Sequence, residues 1–306
     1  MRIAILGAGA VGCHYGAKLI SAGAEVRFLA RGAHLDALRH SGLWHSSPAG
    51  EQRWQIEAQE DPTLIEGCDV LVLACKMTGL APLLSQIAAH TADEMLLVTL
   101  QNGVLAPQWV AERFPGRAVV AGSAFIGVRL SAPGQVRHTA AGHLRLGHWQ
   151  LGRGSHRLSK LVALWRSADV PVQIEEQMAP VLWNKLLWNC GFNAITALTH
   201  RYARDIASDT GCRQLALSAM QETERLARFK GIYLPDDAVE KQVRDTLNGG
   251  EVKSSMWQDI EAGRMTEIDW LNGFVADECE KNGLSAPVNR MLCTLVRTLE
   301  ASHAGR

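Results

Sequence analysis

Short, continuously apolar runs alternate with helix-period stretches through the first half of the chain, and only the helical period persists through the second. Residues 3–6 and 70–74 are unbroken apolar runs, and 96–100 is one interrupted only by Thr99, all of the kind buried on both faces of a parallel sheet. Residues 25–29 and 118–122 read as further strands, and 11–21 as a helix between the first two. Strands separated by helical stretches predict a doubly wound α/β sheet. From 135 to 152 the pattern changes: 136–139 and 143–147 read as the arms of a hairpin turning at Ala140-Ala141-Gly142. Residues 170–174 predict a last strand. Beyond Glu176 the signal is helical, with long stretches at 209–230, 236–247, 265–282 and 287–302 punctuated by Gly231, Pro235, Gly249-Gly250 and Gly283. The expected domains are therefore 1–176 (α/β, Rossmann-type) and 177–306 (all helical).

One helix in the second half departs from a simple apolar pattern. Along 183–196, Lys185, Asn189 and Asn193 recur at i, i+4 and i+8 among Leu186, Leu187, Trp188, Phe192 and Ile195. In an unbroken α-helix such positions stack on one face, drifting about 40° per step, and Thr196 falls back onto the same stripe. An unpaired buried polar group costs roughly 1–3 kcal/mol, so a lysine and two amides here need partners. Two readings stand: hydrogen bonding within the fold, or a small polar substrate.

Gly7-Ala8-Gly9-Ala10-Val11-Gly12 is a GxGxxG sequence that follows a strand directly and opens a helix. In that setting it reads as a dinucleotide turn. Gly7 permits the tight turn, Gly9 lets a pyrophosphate approach, Gly12 lets helix and strand pack closely, and the helix N-terminus favours the anion. Where NAD-preferring folds place an acidic residue after the second strand, this chain places Arg31. A guanidinium suits a 2′-phosphate, so the expected cofactor is NADP(H); the bland alternative is a solvated arginine. Lys76 and Asn102 each follow an apolar run at the carboxyl end of an expected strand, where ligands of open α/β sheets bind. In the helical half, Ser254-Ser255 reads either as a site residue pair or as a helix N-cap. On a helical wheel over 265–282, Glu267 shares a face with Leu271 and Phe274 while Asp269 points away.

Composition narrows the function classes. With 31 basic and 31 acidic residues the formal net charge is zero, which argues against a broad nucleic-acid or anionic-membrane surface. No apolar run approaches the ~18 residues of a membrane span. The N-terminus enters a strand at once, with no secretory leader pattern. Seven cysteines, an odd number with no CxxC and no zinc-ligand spacing, fit free thiols in a reducing cytoplasm. No metal is expected. A homodimer through the helical half is compatible with the sequence.

The GAGAVG turn, Arg31, Lys76, the Gln101-Asn102-Gly103 loop, the Lys185/Asn189/Asn193 helix, Ser254-Ser255-Met256-Trp257-Gln258-Asp259 and Thr266-Glu267-Ile268-Asp269 together resemble the ketopantoate reductase (2-dehydropantoate 2-reductase) family along nearly the whole chain. The resemblance implies a Rossmann-type domain followed by a helical domain like that of 6-phosphogluconate dehydrogenase. It also implies reduction of a 2-keto acid by NADPH. On those matches Lys185 is the proton donor and Glu267 the carboxylate near both the ribose and that lysine. Asn189, Asn193 and Ser255 hold the substrate carboxylate and hydroxyl, Asn102 reaches cofactor and substrate, and Lys76 and Ile126 contact the cofactor along with Gly7 to Gly12 and Arg31. Two features depart from the family pattern. Thr199-His200-Arg201-Tyr202-Ala203 carries no asparagine where the family often has one, and Ser123-Ala124-Phe125-Ile126-Gly127 is bulky. These departures keep open a paralogue acting on another branched 2-keto acid. A non-catalytic NADP(H)-binding regulator is the alternative from a different class, and the presence of Lys185 speaks against it.

Overall fold

The computed structural model describes residues 1–304, which fall into two compact units that divide between Met178 and Ala179. In chain order the first unit contains β1 (Arg2–Leu6), α1 (Ala10–Ser21), β2 (Glu25–Leu29), α2 (Gly32–Ser41), β3 (Leu43–Ser47), β4 (Gly50–Trp54), β5 (Glu57–Gln59), β6 (Val70–Leu73), α3 (Met77–Ile87), β7 (Leu96–Thr99), α4 (Ala106–Arg113), β8 (Val119–Ala132), β9 (Gln135–Gln150), α5 (Arg157–Ser167) and β10 (Val172–Ile174). The strands form one sheet in the order β4-β3-β9-β8-β7-β6-β1-β2-β5, with β10 paired to β9. The central strands β1, β2, β6, β7 and β8 run parallel. Ile3, Ile5, Val70, Val72, Leu96 and Val98 are buried in the core of this unit, as strands covered on both faces require.

The sheet is mixed rather than all parallel, because β8 and β9 are antiparallel and far longer than their apolar runs suggest. The chain does not turn at Ala140-Ala141-Gly142. It turns at Pro133-Gly134, and β9 continues through Ala141 (φ 55°) and Gly142 (φ 125°) with register shifts against β8 near Ile126 and Val128. Two residues in left-handed conformations inside a strand make a bulge, which keeps the pairing going while bending it. The partner stretch, Ser123 to Gly127, is part of β8. The β3/β4 hairpin and the short β5 have few apolar residues, and they escape a reading based on apolar runs.

The second unit contains α6 (Met178–Trp188), α7 (Ala194–Thr199), α8 (Ala203–Ser208), α9 (Thr210–Phe229), α10 (Ala238–Asn248), α11 (Ser255–Glu261), α12 (Asn272–Lys281) and α13 (Pro287–Ala304). α6 and α7 are joined by a π-turn at Asn189–Asn193, so the expected single α-helix over 183–196 is interrupted. The expected helix over 265–282 is also broken. A 3₁₀ turn at Ile268–Trp270 precedes α12, and Glu267 lies outside any helix. The shared face of Glu267 with Leu271 and Phe274 is therefore not realised. All seven cysteines are free. Among the described residues no helix is long and apolar enough to cross a membrane.

Candidate active site

In the first unit the glycine turn links the end of β1 to α1. Gly7 adopts φ 100°, and a Cβ there would sit 2.3 Å from the backbone nitrogen of Cys75. A side chain is thus excluded twice, by strain and by contact. At Gly12 a Cβ would lie 2.3 Å from the Gly7 carbonyl and 2.9 Å from Ile5, the close helix–strand approach expected of that position. Gly9 differs: a Cβ would meet nothing within 4 Å, so its bareness serves no packing need. The first turn of α1 has neither a side-chain cap nor an acidic residue, which leaves its N–H dipoles to an anion. Gly7 N and Ala8 N reach toward the Leu29 carbonyl at 3.4 and 3.3 Å, stitching the turn to the end of β2. Two residues beyond Leu29, exposed Arg31 stands at the N-cap of α2. These features fit a dinucleotide with its diphosphate at α1.

Lys76 stands at the N-terminus of α3 directly after β6, and Asn102 follows β7 in a turn completed by Gly103 (φ 84°). Both therefore lie at the carboxyl ends of parallel strands. Ile126 lies at the β8 bulge, opposite Ala141.

In the second unit the π-turn changes the geometry of the polar stripe. Residues four apart overshoot a full turn in an α-helix, but in a π-turn they fall short of one. The step from Lys185 to Asn189 rotates one way and the step from Asn189 to Asn193 rotates back. The backbone of Asn193 thus returns toward the line of Lys185, where an unbroken α-helix would place it about 80° away. Asn189 and Asn193 are both buried, and Asn193 Nδ2 donates to Asn189 Oδ1 at 3.2 Å. Asn189 Nδ2 and Asn193 Oδ1 have no hydrogen-bond partner among the described residues. The pair thus presents one donor and one acceptor. Reversing both amides exchanges their owners and leaves the same two functions.

Burial pushes the Lys185 ammonium down to about 8, against which Glu267 holds it up. A lysine so placed is protonated and dischargeable near neutral pH. The Glu267 backbone is set by its neighbours: Thr266 N donates to Glu300 Oε1 at 2.7 Å, and Ile268 N donates to Thr266 Oγ1 at 3.1 Å. Asp269, two residues on, pairs with Arg297 at 2.6 Å and takes no part in the group. Ser254 resolves the cap question, since its Oγ accepts from Trp257 N at 3.1 Å as the N-cap of α11. That Oγ also shares a 2.6 Å hydrogen bond with Thr196 Oγ1, which donates to the Asn193 carbonyl at 2.9 Å. The stripe is thereby tied to the start of α11, whose first residue is the exposed Ser255.

The tryptophans beside the lysine are packing groups. Trp183 is buried with its ring 6.0 Å from Phe274, and Trp188 Nε1 donates to Thr246 Oγ1 at 3.0 Å. Sequence reasoning overlooked Asn272, Asn289 and Glu222, which lie buried behind the π-turn. Their signal was present: each is a polar residue on the apolar side of a helix.

Family models extend this geometry to known proteins. The ketopantoate reductase PanE/ApbA model matches residues 3–150, and its C-terminal counterpart matches 177–300. The chain belongs to the ketopantoate reductase family. It is an oxidoreductase with a Rossmann-type unit and a helical unit. A 2-dehydropantoate 2-reductase of Mesorhizobium japonicum is 31% identical, with 98% of each chain aligned. A PanE/ApbA family ketopantoate reductase from Ralstonia eutropha JMP134 superposes with a TM-score of 0.92 at 30% identity, covering 99% of this chain and all of that one. A D-mandelate dehydrogenase, solved with NADH and anilino(oxo)acetate, shares the fold with a TM-score of 0.91 over 99% of this chain and 100% of its own, at 23% identity. In the present chain the segment after α7, which has no asparagine, holds His200 in a left-handed conformation with its ring stacked 5.9 Å from Trp257.

Proposed function

We propose that the chain reduces 2-dehydropantoate to (R)-pantoate with NADPH. The observation that carries this reading is the unpaired amide donor and acceptor of Asn189 and Asn193, held on the same helical segment as a lysine whose pKa is near 8. A donor suits a carboxylate and an acceptor suits a hydroxyl, and 2-dehydropantoate carries both groups. The match to curated 2-dehydropantoate 2-reductases over the full chain supports the same substrate.

When bound, NADPH supplies the hydride. Arg31 would hold its 2′-phosphate, the first turn of α1 its diphosphate, and Lys76, Asn102 and the Ile126 backbone its remaining contacts. Glu267 would serve the ribose, as the family resemblance implies. Asn189, Asn193 and Ser255 fix the keto acid by its carboxylate and hydroxyl, with Asn102 touching both ligands. As the ketone carbon gains hydride, negative charge grows on its oxygen. Lys185 stabilises that charge and then gives its Nζ proton to the oxygen, so that ketone, hydride and proton yield the alcohol. Glu267 keeps the lysine charged until transfer, and proton uptake from solvent restores it.

The missing asparagine between Thr199 and Ala203, with His200 stacked on Trp257, favours a second reading in which another branched 2-keto acid is the substrate. The test is absorbance-monitored NADPH oxidation with 2-dehydropantoate and a panel of branched 2-keto acids. Turnover of 2-dehydropantoate with the highest kcat/KM supports the proposal. Turnover of only the others supports the second reading, and no turnover with any removes the enzymatic one.

A further inference from the structure

We propose that Asn272, braced by Asn289 and Glu222, is a positioning residue that holds Asn189–Asn193 in its π-turn and so aligns Asn193 with Lys185. The functional part of this inference rests on the reading of the stripe as a substrate site. The geometry is a relay across three helices. Asn272, the first residue of α12, donates from Nδ2 to the Cys190 carbonyl in the middle of the π-turn at 2.9 Å, and to Asn289 Oδ1 at 2.9 Å. Asn289 of α13 donates from Nδ2 to Glu222 Oε2 at 2.8 Å and to the Ala219 carbonyl at 3.0 Å. The Glu222 carboxylate on α9 also accepts from the backbone N–H groups of Val288 at 3.0 Å and Asn289 at 2.9 Å.

Asn272 and Asn289 are fully buried, and Glu222 is 4% exposed. Burying a carboxylate and two amides is a poor route to stability, because apolar residues of similar volume pack as well without a desolvation cost. Such a relay is suited to fixing one conformation where two compete. Residues 189–193 have two: an α-helical closure, and a π closure whose widened turn needs an outside partner for its carbonyl. Asn272 supplies that partner. Gly191 lets the turn press directly onto α9, since a Cβ there would lie 2.2 Å from the Met220 side chain. In α-helical closure Asn193 would swing about 80° off the line of Lys185.

The experiment pairs a crystal structure with kinetics of the full-length Asn272→Ala protein. The proposal expects residues 189–193 to revert to α-helical hydrogen bonding, kcat/KM for the keto acid to fall at least about tenfold, and KM for NADPH to stay unchanged. Asp209→Ala, which removes the exposed N-cap of α9, serves as the destabilised control and should lower Tm without moving kcat/KM. Asn289→Ala is measured in the same way, so that a failure of Asn272→Ala to fold still leaves a decision. A π-turn retained in the variant overturns the proposal, and so does a kcat/KM that falls no further than in the control. Should the wild type reduce no 2-keto acid, the substrate reading fails, and the crystal structure alone then decides whether Asn272 holds the turn.

Discussion

Asn193 donates to Asn189 at 3.2 Å across the π-turn, and that one bond determines what the pair has left to offer. Each amide has spent one group on the other, leaving Asn189 Nδ2 and Asn193 Oδ1 buried and unpartnered among the described residues. Each such atom costs roughly 1–3 kcal/mol unless a ligand pairs with it. Replacing Asn193 with alanine should therefore lower kcat/KM for the keto acid about 10- to 100-fold, the loss of a hydrogen bond to a polar substrate group. Thermal melts should show a shift of no more than about 1 kcal/mol in stability. A large drop in Tm with unchanged kcat/KM would mean that the pair serves the fold.

The pH dependence of reduction follows from Lys185. Its folded pKa lies near 8, so the proton required by the alkoxide is present below that value and is lost as pH rises through it. The kcat profile should fall on the alkaline side with a midpoint near 8. Glu267 raises the lysine pKa, so Glu267→Gln should move the midpoint to lower pH. A midpoint that moves upward, or does not move, contradicts the pairing.

Two glycines of one turn should behave differently. Gly9 has φ −76° and open space around it, so Gly9→Ala should leave Tm unchanged while weakening NADPH binding about tenfold or more, measured by protein fluorescence. Gly7 has φ 100° and the Cys75 backbone against it, so Gly7→Ala should cost about 1–3 kcal/mol or more of stability. Equal loss of Tm in both variants would show that Gly9 is a packing glycine.

Arg31 is exposed and sits next to the end of β2. If it grips a 2′-phosphate, Arg31→Ala should raise KM for NADPH about 10- to 100-fold, the value of a charge-assisted hydrogen bond, and leave KM for NADH nearly unchanged. Parallel changes in both constants would assign the arginine to the surface.

Much of this arrangement is legible in the sequence because it is local. The strand–glycine–helix order around Gly7, Gly9 and Gly12 and the i, i+4, i+8 spacing of Lys185, Asn189 and Asn193 need no knowledge of distant residues. What eludes the sequence is set at long range. β8 and β9 support each other through polar and bulged positions that no apolar run marks, so the hairpin turns at Pro133-Gly134 and not at Ala140-Ala141-Gly142. The π-turn depends on Asn272, 82 positions beyond Cys190, and an α-helical wheel has no means of representing it. Glu267 meets Lys185 from a non-helical segment anchored by Glu300, not from a shared helix face.

In the proposed site the Asn189/Asn193 pair reads a carboxylate and a hydroxyl on one 2-keto acid beside Lys185. The most direct test compares kcat/KM, with saturating NADPH, for 2-dehydropantoate and for 3,3-dimethyl-2-oxobutanoate, which is the same keto acid without the hydroxyl. A site built to bond a hydroxyl discriminates strongly against its absence, so the hydroxylated acid should be preferred by about 100-fold or more. Equal or faster turnover of the acid lacking the hydroxyl would contradict the account.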